Sequence, residues 1–260
     1  MNQSSPTPKH IVITGASSGL GAALAVRYAA SGVMLSLCGR DENRLLQTAR
    51  LCEKLGAIAR PHPLDVTDVA GMQRWLERCD DETPIDLVIA NAGISAGVGG
   101  GEEKSEQARN IFRINIDGVV NTIAPLIPRM AARKSGQIAL ISSLAGIRGL
   151  PSSPAYSASK GWLRVYGEGL RGWLARSNVR VNVVCPGFIK TPLTDVNPYR
   201  MPFLMSADKA AAIIARGLAR NQSRIAFPLR LYVPLLLLSF LPNALSDRLF
   251  ALLPDKPSIE

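Results

Sequence analysis

The feature that most constrains the fold is a glycine-rich segment, TGASSGLG, at residues 14–21. It follows a short apolar run, His10–Thr14, whose β-branched residues are typical of a buried parallel strand. It precedes a pattern, AALAVRYAASG, that predicts a helix ending at Gly32. Glycines let the backbone approach a phosphate closely, and the N-terminus of a helix offers free N–H groups. The segment therefore predicts a dinucleotide-binding turn, although a tight strand-to-helix turn without a ligand would share its local pattern.

Strand and helix patterns alternate along the rest of the chain. Each apolar run of strand length is followed by a longer pattern with helical periodicity. Short connections between parallel strands require right-handed crossovers. The sequence therefore predicts an α/β fold of the Rossmann type, with a doubly wound parallel sheet of about seven strands. The predicted strands are residues 10–14, 33–38, 58–64, 85–90, 137–142, 179–185 and 224–227, and one long helix is predicted over residues 105–133.

The composition excludes several other classes of protein. Hydrophobic residues make up 47% of the 260 residues, which is enough for a sizeable core and excludes a disordered chain. The first ten residues lack the apolar stretch of a signal peptide, so we expect a short tail there. The 4 cysteines contain no C-x-x-C pair, which predicts reduced, buried thiols in a cytoplasmic protein.

The charge and the histidines narrow the range of ligands. A formal net charge of +10 suits anionic ligands such as nucleotide phosphates or anionic lipids. The basic residues are dispersed, and no recognition helix, zinc module or basic–aromatic run appears, so nucleic-acid binding is not expected. His10 and His62 stand far apart without ligand-spaced partners. We therefore predict no metal site and no Ser-His-Asp triad, and we interpret both histidines as structural or solvent-facing.

A tyrosine and a lysine stand four residues apart in the segment YSASK, Tyr156–Lys160. On a helix this spacing places the two side chains on one face, one turn apart. A cation beside a phenol stabilises the phenolate and lowers the pKa of the tyrosine from about 10 towards neutrality. Such a tyrosine can donate and accept a proton at working pH. The pair alone indicates an acid–base centre only weakly, because the same spacing occurs by chance on many surface helices.

Several short motifs follow one another along the chain. They are TGASSGLG, LDV with Asp65, NAG at residues 91–93, Asn115, ISS at residues 141–143, YSASK, and PG at residues 186–187. In this order the motifs resemble those of the short-chain dehydrogenase/reductase family in its single-domain form, over roughly residues 9–227. A small departure is Ala90, where the family frequently has asparagine.

The resemblance implies an oxidoreductase with a catalytic tetrad of Asn115, Ser143, Tyr156 and Lys160. Tyr156 would protonate a carbonyl oxygen during reduction or deprotonate an alcohol during oxidation, and Ser143 would donate a hydrogen bond to that oxygen. Lys160 would lower the pKa of Tyr156 and hold the nicotinamide ribose, while Asn115 would position a water that links Lys160 to solvent. Ser143 is preferred to Ser142 because the family usually places its serine thirteen residues before the tyrosine.

The cofactor implied by the resemblance is a nicotinamide dinucleotide. The position after the second strand faces the adenosine ribose, and Arg40 there favours the 2′-phosphate of NADP(H) over NAD(H). The acids at residues 41–42 come too late for this role and are predicted in the first turn of the next helix. Asp65 is predicted to bond the adenine amino group, or instead to cap the helix that starts near Thr67. The predicted cofactor contacts are Gly15, Ser17, Ser18, Gly19, Leu20, Gly21, Gly39, Arg40, Asp65, Val66, Asn91, Ala92, Gly93, Tyr156, Lys160, Pro186, Gly187, Ile189 and Thr191.

The chain is predicted to contain one domain with a segment added at each end. Residues 1–8 form an N-terminal tail, residues 9–227 the Rossmann-type domain, and residues 228–260 a hydrophobic extension. Residues 192–206 correspond to the family's variable lid, and their Pro, Met and Phe content favours a substrate with an apolar portion, although a packed surface flap would also be apolar.

The hydrophobic extension has three open interpretations. Its uncharged run, residues 231–246, is short for a membrane span and is interrupted by Pro234 and Pro242. Two amphipathic helices are therefore predicted, near residues 229–241 and 243–253. They would pack on a second subunit of a homo-dimer or homo-tetramer, which is the preferred interpretation, lie on the cytoplasmic face of a membrane, or cover the substrate cleft of their own domain.

The predicted function is the NADP(H)-dependent interconversion of a ketone or aldehyde and an alcohol by hydride transfer. An amphipathic or apolar substrate is favoured, such as a 3-oxoacyl, lipid or sterol-like compound, over a sugar derivative. The alternative is a non-catalytic dinucleotide-binding regulator or a membrane-associated scaffold. The presence of all four tetrad residues favours the enzyme.

Overall fold

The fold is a parallel α/β sandwich. The computed structural model describes residues 8–99, 101–195, 197, 199–242, 244–245 and 256. Its strands are β1 (His10–Thr14), β2 (Met34–Gly39), β3 (Ile58–Pro63), β4 (Leu87–Ala90), β5 (Gln137–Ile141), β6 (Arg180–Pro186), β7 (Ile189–Lys190), β8 (Met205–Ser206) and β9 (Arg224–Phe227). A 7-stranded parallel sheet has the order β3-β2-β1-β4-β5-β6-β9, and β7 pairs with β8 in a small second sheet. The predicted Rossmann-type sheet is confirmed, with strand ends shifted by one or two residues.

Helices cover both faces of the large sheet. They are α1 (Gly19–Tyr28), α2 (Glu42–Lys54), α3 (Val69–Glu82), α4 (Ser105–Phe112), α5 (Gly118–Ile123), α6 (Ile127–Ala132), α7 (Pro154–Leu174), α8 (Pro192–Asp195), α9 (Ala207–Ala219) and α10 (Leu229–Leu238). On one face, Leu24, Leu45 and Ile214 bring α1, α2 and α9 into a single apolar cluster. On the other face, Leu76 and Leu163 join α3 and α7 in a second cluster. Burial of both faces explains why the central strands are apolar throughout.

The order of the strands reverses beside β1. The chain proceeds from β1 to β2 and β3 on one side, and then returns to place β4, β5 and β6 on the other. Val12 of β1 consequently pairs with Ser36 on one side and with Val88 on the other. The loops that leave β1 and β4 diverge at this point, which opens a crevice at the carboxyl ends of the strands.

The long helix predicted over residues 105–133 is wrong, because the structure divides this region. After α4 the backbone forms a π-helical turn, Arg113–Asp117, before α5 begins. A second break separates α5 from α6, where Pro125 and Pro128 lack the N–H groups that a continuous helix requires. Single π-helical turns inside helices are often found at functional sites, and this one carries Asn115.

The first part of the hydrophobic extension forms α10, which ends three residues before the predicted boundary. Its inner face packs against Leu144 and Cys185 through Leu231 and Leu235. Its outer face is exposed, with Leu237 at 63% of its full accessible surface. No helix of the described residues is long and apolar enough to cross a membrane. The second predicted helix, residues 243–253, lies outside the described residues except for 244–245.

Candidate active site

The candidate active site is a cleft at the carboxyl ends of β1, β4, β5 and β6. The cleft has a volume of ≈ 930 Å³ and is walled by the loops that follow these strands, by α7 and by α10. Its wall includes every predicted cofactor or catalytic residue except Gly21 and Asn115. The switch in strand order therefore gathers segments that are far apart in the sequence.

The glycine-rich turn is built on close backbone contacts. Gly15 and Gly19 have φ angles of 66° and 55°, in the left-handed region that disfavours side chains. A Cβ atom at Gly15 would also lie 2.9 Å from the Cα atom of Ala92. A Cβ atom at Gly21 would overlap the carbonyl oxygen of Gly15, so Gly21 packs beneath the turn and does not line the cleft. The three glycines are thus required by geometry.

The N-terminus of α1 faces the cleft through Ser18, Gly19 and Leu20. The first N–H groups of a helix have no partner within the helix and carry a partial positive charge. Ser18 is the N-cap residue, yet its side chain makes no capping hydrogen bond, and the first turn contains no acid. This end of the cleft is therefore suited to an anionic phosphate group.

Asn91 holds the glycine-rich turn against the loop that follows β4. Its side-chain amide donates to the carbonyl oxygen of Thr14 at 2.9 Å, and its backbone N–H donates to the Thr14 hydroxyl at 3.1 Å. The backbone N–H of Ala92 donates to the same hydroxyl at 3.2 Å. Asn91 lines the cleft as predicted, and these bonds show that it also fixes the shape of the turn.

Two arginines lie at the end of the cleft that follows β2. Arg40 is exposed and lines the cleft together with Asp41 and Arg44. The Asp41 carboxylate caps α2 by accepting from the backbone N–H of Arg44 at 2.9 Å, and it accepts from the Arg44 guanidinium at 2.7 Å. These hydrogen bonds lower the pKa of Asp41. The sequence predicted Asp41 in the first turn of α2, whereas Asp41 is the residue that caps this helix. It did not predict the place of Asp41 or of Arg44 in the cleft wall.

Asp65 lies in the wall of the cleft, as predicted. Its carboxylate accepts from the backbone N–H of Thr67 at 2.9 Å in a local turn. Burial would raise the pKa of Asp65, but the Thr67 hydrogen bonds and the nearby charge of Arg40 lower it overall. The helix cap considered for Asp65 belongs instead to Asp68, which accepts from the backbone N–H of Gly71 at 2.9 Å.

Tyr156 and Lys160 share one face of α7 and both line the cleft. The Lys160 Nζ atom lies 5.8 Å from the centre of the Tyr156 ring. The same ammonium donates to the carbonyl oxygen of Ile141, at the end of β5, at 2.9 Å. Burial lowers the pKa of Lys160 to about 8, so the side chain stays mainly charged at neutral pH. The predicted helical pair is present and is anchored to the sheet.

The pKa of Tyr156 differs from the sequence-based expectation. Desolvation by the surrounding protein raises the pKa of the phenol above its usual value, whereas hydrogen bonds with Ser143 and Ser95 act to lower it. The predicted lowering by Lys160 is not observed in this structure. The physical reason is that the Tyr156 phenol is buried, and its desolvation outweighs the groups that favour the phenolate.

The two adjacent serines after β5 have different environments. Ser142 is 2% exposed, and its hydroxyl donates to the carbonyl oxygen of Lys160 at 2.6 Å. Ser143 is half-buried, accepts from the backbone N–H of Ala145 at 3.1 Å, and acts to lower the pKa of the Tyr156 phenol. Ser142 is committed to holding α7, which leaves Ser143 as the serine directed to the phenol.

Asn115 is fully buried and lies behind the cleft wall. Its side chain accepts from the backbone N–H of Ile94 at 2.8 Å and donates to the Ile94 carbonyl and the Ser159 hydroxyl, both at 3.0 Å. A Cβ atom at Gly93 would meet the Asn115 side-chain oxygen at 3.1 Å and the Lys160 Nζ at 3.4 Å. Asn115 therefore joins the loop after β4 to α7 close to Lys160.

The loop after β6 closes the cleft above the glycine-rich turn. Pro186, Gly187, Ile189 and Thr191 line it, as predicted. The backbone N–H of Gly187 donates to the carbonyl oxygen of Phe227 at 2.8 Å, which fixes the loop to β9. A Cβ atom at Gly19 would meet the Thr191 side chain at 3.1 Å, so these two loops touch.

Several residues outside the predicted set of site residues also line the cleft. Leu231 and Leu235 lie in the extension, for which covering the cleft is one of the three open interpretations, and Tyr199 lies in the segment that corresponds to the family's lid. No local motif marks the others. These additional residues are Ser95, Tyr199, Leu231, Leu235 and Lys256.

Comparison with known sequences identifies relatives among oxidoreductases. The family model for short chain dehydrogenases matches residues 9–199. An uncharacterized oxidoreductase of Myxococcus xanthus is 38% identical over 237 residues, covering 91% of this chain and 94% of the relative. A 3-oxoacyl-acyl-carrier-protein reductase of Thermotoga maritima is 32% identical over 191 residues, covering 73% of this chain and 78% of the relative.

Solved structures with the same fold include complexes with either nicotinamide cofactor. A short-chain dehydrogenase from Sphingobium yanoikuyae in complex with NADPH superimposes with a TM-score of 0.79 at 25% identity, covering 96% of this chain and 98% of that one. A short-chain dehydrogenase/reductase from Burkholderia phymatum in complex with NAD gives a TM-score of 0.80 at 25% identity, covering 87% and 91%.

Proposed function

Since this chain belongs to the short-chain dehydrogenase/reductase family and is an oxidoreductase of that type, we propose that it is an NADP(H)-dependent enzyme that interconverts a carbonyl compound and an alcohol. The observation that carries the proposal is the convergence of Ser143, Tyr156 and Lys160 in the wall of one cleft, where Ser143 acts to lower the pKa of the Tyr156 phenol. The uncapped N-terminus of α1 stands at the other end.

The cleft wall fits a dinucleotide. The left-handed glycines at 15 and 19 leave room for a pyrophosphate, and the first turn of α1 would donate to it. We place the remaining predicted contacts along the two halves of the dinucleotide. Asp65 and Val66 would contact the adenosine half, and the Pro186–Gly187 loop and Thr191 would contact the nicotinamide half. The cofactor supplies or accepts the hydride at the nicotinamide ring.

The protein side of the reaction is proton transfer and charge stabilisation. During reduction, the Tyr156 hydroxyl gives its proton to the carbonyl oxygen and is left as a phenolate. The Ser143 hydroxyl donates to the same oxygen as negative charge develops there. The Lys160 ammonium stabilises the phenolate and binds the nicotinamide ribose. Asn115 positions a water that links Lys160 to solvent. During oxidation each proton moves in the opposite direction.

The preference for NADP(H) rests on charge at the end of the cleft that follows β2. Arg40 and Arg44 both stand there. The nearest acid, Asp41, already accepts two hydrogen bonds from Arg44, so it is a poor acceptor for a ribose hydroxyl. Guanidinium groups bind phosphate oxygens by charge-assisted hydrogen bonds, which favours a cofactor with a 2′-phosphate.

An amphipathic or apolar substrate suits the opposite end of the cleft. Leu231, Leu235 and Leu150 contribute apolar surface there, and Tyr199 and Pro202 of the proposed lid lie opposite. The relationship to a 3-oxoacyl-acyl-carrier-protein reductase supports a 3-oxoacyl substrate within this class, beside lipid and sterol-like compounds. A sugar derivative would find fewer polar partners on these leucines.

For the outer face of α10, a contact with a second subunit remains our proposal. The face carries Leu229, Val233 and Leu237, each with at least 47% of its surface exposed. Burying such side chains stabilises an assembly by about 1.5–3 kcal/mol each. A membrane-surface contact would use the same residues and is the alternative.

A steady-state assay tests the proposed activity. Purified protein is incubated with NADPH or NADH and a panel of 3-oxoacyl thioesters, lipid ketones, sterol-like ketones and oxidised sugars, and the loss of nicotinamide absorbance is followed. We expect turnover with NADPH and apolar ketones. Tight binding of the cofactor without turnover on any panel member would instead support the regulator, which keeps the fold without the reaction.

A further inference from the structure

A residue from the end of the chain lies in the cleft beside Tyr156. The Lys256 Nζ atom is 4.7 Å from the centre of the Tyr156 ring, closer than the 5.8 Å of Lys160. The same ammonium forms a hydrogen bond with the hydroxyl of Ser95, although the two residues are 161 positions apart in the sequence. Ser95 is 6% exposed, and its interaction with the Tyr156 phenol lowers the pKa of that phenol. Ser95 thus interacts with both the Lys256 ammonium and the phenol.

The loop after β4 is shaped to hold the backbone of Lys256. The carbonyl oxygen of Lys256 accepts from the backbone N–H of Gly99 at 2.8 Å. A Cβ atom at Gly97 would overlap both the carbonyl oxygen and the Cβ atom of Lys256, and its three nearest atoms all belong to that residue. Gly97 therefore provides the space that Lys256 occupies, and a methyl group there would displace it.

On the basis of the proposed function, we propose that Lys256 is a positioning residue for the reaction. Its ammonium orients the Tyr156 hydroxyl through Ser95 and stabilises the phenolate that remains after Tyr156 has given its proton to the carbonyl oxygen. The proton moves from the phenol to the substrate oxygen, and the hydride comes from the nicotinamide, so Lys256 itself neither gains nor loses an atom. Two ammonium groups then flank the phenolate, Lys160 from α7 and Lys256 from the C-terminal extension.

Other groups around Tyr156 also affect the pKa of its phenol. Ser143, after β5, and Ser95, after β4, lower the pKa of the phenol by hydrogen bonding, while desolvation and Tyr199 raise it. A positive charge within about 4–6 Å shifts the pKa of an acid downward by about 1–3 units. Burial lowers the pKa of Lys256 to about 8, so the side chain is mainly charged at neutral pH and loses this effect as the pH rises through that value.

The direct test is a spectroscopic titration of Tyr156, which needs no substrate. The ultraviolet absorbance of tyrosinate is followed against pH in the presence of NADP⁺, and the curve of Tyr156→Phe is subtracted to isolate Tyr156. Tyr156 should titrate about 1 unit or more earlier in Lys256→Arg, whose guanidinium stays charged throughout the titration, than in Lys256→Met, which has no charge at this position. Equal titration of Tyr156 in these two variants would overturn the proposal.

A second pair of variants tests whether the charge at residue 256 acts from its position in the cleft. Gly97→Ala, added to Lys256→Arg, keeps the charge but displaces it, and should return the pKa of Tyr156 to its value in Lys256→Met. Gly101→Ala in the same background is the matched control, because among the described residues its new Cβ atom would meet only the Val98 carbonyl oxygen, at 3.9 Å. If Gly97→Ala leaves the titration of Tyr156 in Lys256→Arg unchanged, the placement of residue 256 in the cleft is wrong.

Kinetics distinguish the failure of this inference from that of the proposed function. The rising limb of alcohol oxidation should lie at higher pH in Lys256→Met than in Lys256→Arg by the same amount, and the rate at pH 7 should be lower in Lys256→Met by about ten-fold per unit of pKa. An enzyme that turns over while Lys256→Met and Lys256→Arg share one pH profile refutes the inference alone. A wild-type protein that turns over no alcohol refutes the proposed function, and the titration still decides whether Lys256 acts on Tyr156.

Discussion

The two ends of the cleft are built in different ways. The nucleotide end is built around two short segments, in which Gly21 packs on Gly15 and Asp41 caps the helix that carries Arg44, and Asn91 supports the first of them from 77 residues away. The substrate end combines side chains from distant segments, such as Ser95 and Lys256, which are 161 residues apart. A short motif can specify the first, whereas the second depends on how the whole chain is arranged. We therefore expect changes at the two ends to have separable effects on cofactor binding and on turnover.

Tyr156→Phe should have the largest effect, and it should lower turnover at the substrate end without weakening cofactor binding at the nucleotide end. Removal of the hydroxyl removes the proposed acid–base group, so kcat should fall by about 10²–10⁴-fold. The dissociation constant of NADPH should stay within about a factor of three, since the ring remains in place. Fluorescence titration with NADPH beside the steady-state assay measures both. Substantial remaining ketone reduction would remove Tyr156 from the mechanism.

Gly21→Ala tests the opposite end. The new Cβ atom would overlap the Gly15 carbonyl oxygen and force the glycine-rich turn to shift, at a cost of about 1–3 kcal/mol in stability. NADPH affinity should fall at least about ten-fold, because the pyrophosphate loses the geometry of the turn. Gly169→Ala, in α7 with no atom within 4 Å of the new Cβ, is the control and should be neutral or slightly stabilising. Equal effects of both variants on cofactor affinity would contradict this account.

Arg40→Asp should change the choice of cofactor. A carboxylate there repels the 2′-phosphate and offers an acceptor to a free ribose hydroxyl. The ratio of kcat/KM for NADPH to that for NADH should fall by about 10–100-fold, the size expected for a lost charge-assisted hydrogen bond. Arg44→Ala separates the contribution of the second arginine. An unchanged ratio in Arg40→Asp would show that Arg40 does not bind the 2′-phosphate.

Leu235 and Leu237 compare the two faces of α10, and here we expect the smallest effects. Leu235→Ala opens the cleft wall and should raise KM for apolar ketones a few-fold without changing the mass of the assembly. Leu237→Gln alters the exposed face and should leave KM unchanged while weakening subunit association, as measured by light scattering. Loss of binding to anionic liposomes in Leu237→Gln, with unchanged mass, would favour the membrane instead.

The features that the sequence predicted correctly depend on patterns within short segments of the chain. The strand patterns predict the sheet because each central strand is covered on both faces, and the glycine spacing predicts the turn because Gly21 packs directly on Gly15. The predicted Tyr156–Lys160 pair needs only helical geometry.

The missed features have a different physical origin. The break in helix 105–133 depends on two prolines and on the bonds of Asn115 to Ile94 and Ser159, which lie in other segments. The raised pKa of Tyr156 depends on desolvation by the folded protein, which no motif records. Lys256 carries no local signal at all, because its place is defined by a loop near residue 97.

The central claim is that Tyr156 and its neighbours assist hydride transfer between the nicotinamide and a substrate carbonyl. The most direct measurement uses NADPH in which both hydrogens at the hydride-donating carbon are deuterium, with mass spectrometry of the alcohol formed from the best ketone of the panel. The account predicts one deuterium on the former carbonyl carbon in the wild-type reaction and almost no labelled alcohol with Tyr156→Phe. Alcohol without deuterium, or equal amounts of labelled alcohol from the wild type and from Tyr156→Phe, would contradict it.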